Sequence, residues 1–181
     1  ASMSSVTQRK TVVTKMCTSS CSPDISIVPA GDLREMRRIK ARVETERMPR
    51  GVQPNRHLKL GRGSLSDVEW TAQLLQSQHA GEHPSLRTTS TIETLKSAAG
   101  VGVLDADDAQ VLVLAWEMAS RIRAAIVLAT GRTSGSKLDV LPHAPAELET
   151  VARLLGYEPG ARLDLEEDYL RATRRARAVM E

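Results

Sequence analysis

The sequence has almost no aromatic residues: its 181 positions include no Phe, two Trp and two Tyr. Aliphatic side chains must therefore supply the core. No apolar run approaches the ~18–20 residues that a membrane-spanning helix needs, and no apolar signal-peptide core follows the basic residues near the start. The formal net charge is only +3, too small an excess to indicate nucleic-acid binding. These absences predict a cytoplasmic protein without membrane or nucleic-acid partners.

Metal-binding and redox motifs are also scarce. The only two cysteines, Cys17 and Cys21, lie four positions apart in a Ser/Thr-rich stretch, which is neither a redox spacing nor a zinc pair. We interpret them as free thiols. His79 and His83 have the spacing of two ligands on one helix, but Gly81 interrupts the helix between them. The sequence therefore predicts no metal site.

Helical periodicity begins after residue 30. Apolar residues then recur at three- and four-residue steps, which predicts helices over 32–48, 66–80, 91–99, 106–129, 145–155 and 164–181. Four start signals support these helices: Asp32, the capping box Ser66–Glu69, Asp105, and Asp164 with Glu167. We predict an all-α fold, an antiparallel bundle of five or six helices over residues 31–181. Residues 1–30 lack periodicity, and we interpret them as a flexible or extended lead-in that is in part vector-derived.

The most unusual segment leads into the second of these helices. Two cations and two glycines precede its start: Lys59, Gly61, Arg62 and Gly63. Glycines let a backbone approach a ligand and a helix N-terminus favours negative charge, so such a junction can bind a phosphate. Asp67 and Glu69 in the first turn would compete with that phosphate. The alternative is a tight turn whose acidic residues complement the helix dipole.

Several blocks of the sequence resemble one family. RRIKARVETERMPRG, HLKLGRGSLSDVEW, HPSLRTTSTIETL and VARLLGYEPG occur in the same order as in glutamine synthetase adenylyltransferases. The last stretch, LEEDYLRATRRARAVME, is similar to the C-terminus of actinobacterial members, and the resemblance covers residues 32–181. Such enzymes carry two nucleotidyltransferase domains, each followed by a helical domain. This chain resembles the helical domain after the second, adenylylating copy. It departs from the family at Gly63-Ser64, where a pair of glycines is usual.

The resemblance implies a role in nitrogen metabolism. The full-length enzyme would use ATP and Mg²⁺ to transfer AMP to a tyrosine of glutamine synthetase, and its partners would be glutamine synthetase, the PII signal protein and the upstream nucleotidyltransferase domain. Lys59 and Arg62 would contact nucleotide phosphate or that domain. The alternative is a helical module that binds PII or glutamine synthetase without touching nucleotide.

The chain itself is expected to hold no catalytic residue, metal ligand or cofactor. Nucleotidyl transfer in this superfamily needs a Gly-rich loop followed by an Asp-x-Asp pair, whose carboxylates hold two metal ions. The one such pair here, Asp105 and Asp107, opens a predicted helix and has no glycine loop before it. Helix capping explains it better.

Overall fold

The structure, a computed structural model, describes residues 30–132 and 134–181. The interpretations of Cys17, Cys21 and the rest of residues 1–29 lie outside this part. The described residues contain six α-helices and no strand: α1 (Ala30–Arg47), α2 (Leu65–His79), α3 (Thr91–Gly100), α4 (Ala106–Thr130), α5 (Pro145–Leu154) and α6 (Arg162–Met180). None of these helices is long and apolar enough to cross a membrane. The prediction of an all-α helical bundle is confirmed.

The longest helix, α4, begins and ends where the sequence predicts. The Asp105 carboxylate accepts hydrogen bonds from the backbone amides of Asp107, at 2.9 Å, and Asp108, at 3.3 Å. Gly131 ends the helix with a left-handed φ of 65°. Both signals act within a few residues of the helix terminus, which explains why the sequence alone reveals them.

Other helix starts were predicted less well. Three expected N-caps instead lie inside their helices: Asp32, Ser66 and Asp164. The N-cap of α2 is Ser64, whose side chain makes no capping hydrogen bond, and α6 begins at Arg162 without a side-chain cap. The capping patterns therefore located these starts only to within three residues, since distant contacts fix the true first turn of α2.

Two apolar clusters build the core, and α4 belongs to both. The first joins α2, α3, the start of α4 and the end of α6: Val68, Leu75, Leu95, Leu112 and Ala176. The second joins the end of α4 to α5 and the start of α6: Ile122, Ile126, Val151, Leu165 and Tyr169. The start of α4 thus packs near the end of α6, so these two helices are antiparallel. Trp116 is half-buried at the middle of α4 and contacts both clusters.

Among the residues of α1 whose burial is described, none is fully buried. Ile39, on its predicted apolar stripe, is 46% exposed. The next residue, Lys40, pairs with the Asp67 carboxylate at the start of α2. That ion pair links α1 to the segment that the sequence marks as unusual.

Candidate functional site

The candidate site is the segment of residues 54–69, which runs from a short 3-10 turn into α2 and which we call the 54–69 segment. It lies beside the connection between α4 and α5. The Leu58 amide donates to the Asp139 carbonyl at 2.7 Å, and the Leu141 amide donates to the Arg56 carbonyl at 2.9 Å. These paired backbone bonds hold the first half of the segment in a fixed position against the bundle.

Both glycines of the segment are required by close packing. A Cβ on Gly61 would lie 2.7 Å from the Pro54 carbonyl oxygen. Gly63 has a φ of 75°, and a Cβ there would overlap the Thr173 carbonyl oxygen of α6. Both positions are buried. The glycines therefore allow the backbone to approach other backbone, which leaves little room for a ligand at these two positions.

Ser64 takes part in a buried hydrogen-bond network with α6. Its hydroxyl donates to the Leu58 carbonyl and lies 3.3 Å from the Tyr169 hydroxyl. The Tyr169 hydroxyl also donates to the His57 carbonyl at 3.4 Å, and burial raises the pKa of Tyr169 to about 12. Ser64 has a φ of −96°, so the non-glycine residue at this position causes no backbone strain.

Replacing Ser64 with glycine is expected to destabilise the chain by about 1–2 kcal/mol. The change removes one buried donor and leaves the Leu58 carbonyl with one partner fewer. It also adds backbone freedom to the unfolded chain. Urea unfolding followed by circular dichroism would measure the loss. An increase in stability on Ser64→Gly would show instead that the serine is strained.

A buried ion pair anchors the start of the segment. The Arg56 guanidinium pairs with Glu166 of α6 and donates to the Pro142 carbonyl at 2.8 Å. The next residue, His57, uses its Nδ1 to accept hydrogen bonds from the amides of Lys59, at 3.2 Å, and Leu60, at 3.0 Å. Burial lowers the pKa of His57, which favours the neutral imidazole that this acceptor role needs.

The Asp67 carboxylate lies at the N-terminus of α2, where the phosphate-site hypothesis places the bound phosphate. Its carboxylate accepts from the Gly63 amide at 2.6 Å and pairs with Lys40 of α1, and the residue is 8% exposed. Glu69 accepts from the indole N–H of Trp116 at 3.3 Å. The internal carboxylate thus supplies the negative charge that the N-terminus of α2 favours.

Replacing Asp67 with asparagine is expected to cost about 1–3 kcal/mol of unfolding free energy. The amide keeps the shape but loses the ion pair with Lys40 and weakens the bond from the Gly63 amide. Hydrogen exchange should also show faster opening of α1, because this pair joins α1 to α2. Glu69→Gln is the control, since a neutral amide oxygen still accepts from Trp116. Equal exchange of α1 in both variants would contradict the linking role of Asp67.

The structure separates the predicted site residues into two groups. Gly61, Gly63 and Asp67 form a buried turn, whereas Lys59 and Arg62 are exposed. Neither cationic side chain makes a hydrogen bond or ion pair within residues 30–132 and 134–181. They therefore form a small positive surface on a rigid support. No local pattern in the sequence indicates a role for Arg56, His57 or Tyr169, because their contacts span more than 100 positions.

The described residues provide no group of three His, Cys, Asp or Glu side chains that could hold a metal ion. The one Asp-x-Asp pair is engaged in helix capping, with Asp105 bound to backbone amides of α4. The donor set of this part of the chain therefore does not fit the two-metal centre of nucleotidyl transfer.

The chain is similar to known proteins along most of its length. Residues 34–181 match a family model described as GlnD PII-uridylyltransferase. Three relatives are each named bifunctional glutamine synthetase adenylyltransferase/adenylyl-removing enzyme. They come from Leifsonia xyli subsp. xyli, Streptomyces avermitilis and Cutibacterium acnes, and are 58%, 52% and 50% identical over 149 residues.

The match covers 82% of this chain but only 14%, 14% and 15% of the lengths of those three relatives. The chain thus corresponds to a small part of each relative, and that part includes the whole 54–69 segment. The resemblance predicted from the sequence blocks is confirmed. The chain belongs to the family of the bifunctional glutamine synthetase adenylyltransferase/adenylyl-removing enzymes.

Proposed function

We propose that this chain is the helical accessory domain of the adenylylating half of such an enzyme. The whole enzyme would act in the cytoplasm, where it transfers AMP from ATP, with Mg²⁺, to a tyrosine of glutamine synthetase. The metal ions and reacting groups would be held by a nucleotidyltransferase domain outside this chain. The similarity to relatives named bifunctional glutamine synthetase adenylyltransferase/adenylyl-removing enzyme, at 50–58% identity over 149 residues, is the observation that supports the proposal.

Within that enzyme, Lys59 and Arg62 would form the contact with the catalytic domain or its nucleotide. Both are exposed cations on a backbone that is fixed from several sides. Because this backbone is already ordered, only the two side chains lose conformational entropy on contact. The buried Asp67 makes the amide of Gly63 unavailable. A contact through the two side chains is therefore favoured over a phosphate cradle at the N-terminus of α2.

The double substitution Lys59→Ala/Arg62→Ala tests this role in the longer enzyme. We expect kcat/KM for AMP transfer to fall about 10-fold or more, because two charge-assisted contacts are lost. The unfolding free energy should stay unchanged, since neither side chain has a partner in the described part of the chain. The isolated 181-residue chain should transfer no AMP.

Matched controls for this experiment are Lys96 of α3 and Arg153 of α5, which are exposed and distant in sequence. The double variant Lys96→Ala/Arg153→Ala removes the same charge and should keep full activity. An equal loss in both double variants would indicate a general charge effect and contradict the proposed contact. Magnesium-dependent AMP transfer by the purified chain alone would overturn the accessory role.

The second candidate function is a protein-binding module that recognises the PII signal protein or glutamine synthetase without touching nucleotide. The occupied turn at Gly63 and Asp67 favours this alternative, because it leaves no free amide there for phosphate. Calorimetry of the chain against ATP and against each protein separates the two. Nucleotide binding that is lost on Lys59→Ala supports the nucleotide contact. Protein binding that survives this substitution, without any ATP binding, supports the module.

A further inference from the structure

A second surface feature lies between α4 and α6. Here a cleft of about 340 Å³ has an apolar floor formed by Val111, Leu114, Met118 and Ala172. Leu114 is 50% exposed although it lies at the centre of the long helix α4. An exposed leucine inside a concave apolar surface is a common feature of binding grooves for amphipathic helices.

The rim of the cleft is basic. Arg171 and Arg175 line it from α6, together with Tyr157 and the single carboxylate of Asp168. That carboxylate is already engaged, since it accepts from the Tyr157 hydroxyl at 2.8 Å and pairs with Arg171. Arg175 is exposed and makes no hydrogen bond or ion pair within the described residues. Arg175 therefore offers an unpaired positive charge beside the apolar surface, whereas the charge of Arg171 is offset by its ion pair with Asp168.

The cleft is separate from the 54–69 segment. That segment packs on α6 at Tyr169 and Thr173. At ~100° per residue, the four α6 residues that line the cleft (Asp168, Arg171, Ala172 and Arg175) lie on average about 130° around the helix from them. Occupation of one surface would thus leave the other accessible, and the inference below does not depend on the role of Lys59 and Arg62.

We infer that the cleft between α4 and α6 is a docking groove for an acidic amphipathic helix of a partner protein. The positions from Val111 to Met118 span two turns of α4, or ~10 Å, which matches the reach of anchors at i, i+3 and i+7 of a docked helix. Three aliphatic anchors would cover the floor and shield Leu114 from water. Carboxylates beside the anchors would face Arg171 and Arg175.

A synthetic peptide tests the groove directly. The probe is a helix-forming peptide of about four turns (~14 residues) with Leu at i, i+3 and i+7 and Glu at the flanking positions. Fluorescence anisotropy with the 181-residue chain should give a Kd on the order of 10⁻⁵ M, typical of a small transient interface. The same peptide with Lys in place of Glu should bind at least tenfold more weakly.

Two substitutions connect that binding to the cleft. Leu114→Ser should weaken the acidic peptide about tenfold, whereas Leu128→Ser should not, since Leu128 is a 75% exposed leucine of the same helix outside the cleft. Arg175→Glu should weaken the acidic peptide and strengthen the basic one. Arg174→Glu, a reversal at a neighbouring exposed arginine that pairs with Glu167, should have little effect.

The inference is overturned by any of three results. The acidic peptide fails to bind, or acidic and basic peptides bind equally well, or Leu114→Ser binds as tightly as the unaltered chain. Sedimentation completes the test, because a chain that self-associates through Leu114 would place a second copy in the groove instead of an acidic partner.

Discussion

Gly63→Ala should lower the unfolding free energy by about 3–4 kcal/mol and the Tm by about 10 °C. Two separate costs add up at this position. The φ of 75° disfavours any Cβ by about 1–2 kcal/mol. The new methyl group would also overlap the Thr173 carbonyl oxygen and lie 3.1 Å from the Arg177 amide, so it must push the backbone of α6 away. Differential scanning calorimetry would measure the change.

Gly102→Ala provides the control, because it shares the φ of 75° but a Cβ there would meet nothing within 4 Å. It should cost only the conformational part, about 1–2 kcal/mol. The difference between the two variants isolates the close approach of the 54–69 segment to α6. Equal costs would contradict that close approach.

Arg56→Met should cost about 3 kcal/mol of unfolding free energy. Methionine fills much of the same volume but leaves the Glu166 carboxylate partly buried without its partner, and the Pro142 carbonyl loses a donor. The Arg56 side chain is 7% exposed and that of Glu166 is 25% exposed, so water can replace the lost contacts only in part. Guanidinium unfolding would give the value.

A double-mutant cycle separates the ion pair from packing. Arg56→Met/Glu166→Leu should recover much of the loss, since no unpaired charge then remains. Arg174→Met provides the control: Arg174 pairs with Glu167 at 2.8 Å, but both side chains are more than half exposed. That substitution should cost less than about 1 kcal/mol. A larger loss in the double variant than in Arg56→Met would contradict the argument.

The sequence predicted the helices because their signals are local. The apolar stripe of α4 and the Asp105 cap both act within one helix, and both are confirmed. The prediction of Ser66 as the N-cap of α2 is wrong. The N-cap is Ser64, which contacts the distant residue Tyr169. Periodicity and capping patterns carry no information on such long-range pairs.

The candidate site was only partly predictable for the same reason. The sequence indicates that the segment needs glycine. It does not indicate which backbone atoms approach Gly61 and Gly63. The sequence also predicts that Asp67 competes with a bound phosphate. The outcome of this competition depends on Lys40, 27 positions earlier, whose cation holds the carboxylate in place.

The anchoring of the 54–69 segment has a consequence for the order of folding. Arg56 and Glu166 lie 110 positions apart, and Ser64 and Tyr169 lie 105 apart, so these pairs close some of the longest loops in the domain. Such loops form slowly, because the chain must lose conformational entropy before the stabilising contacts can form. Helices α3 and α4 can pair early as sequence neighbours. The 54–69 segment, which carries Lys59 and Arg62, can reach its final position only after α6 has packed. The proposed contact surface is therefore expected to form late in folding.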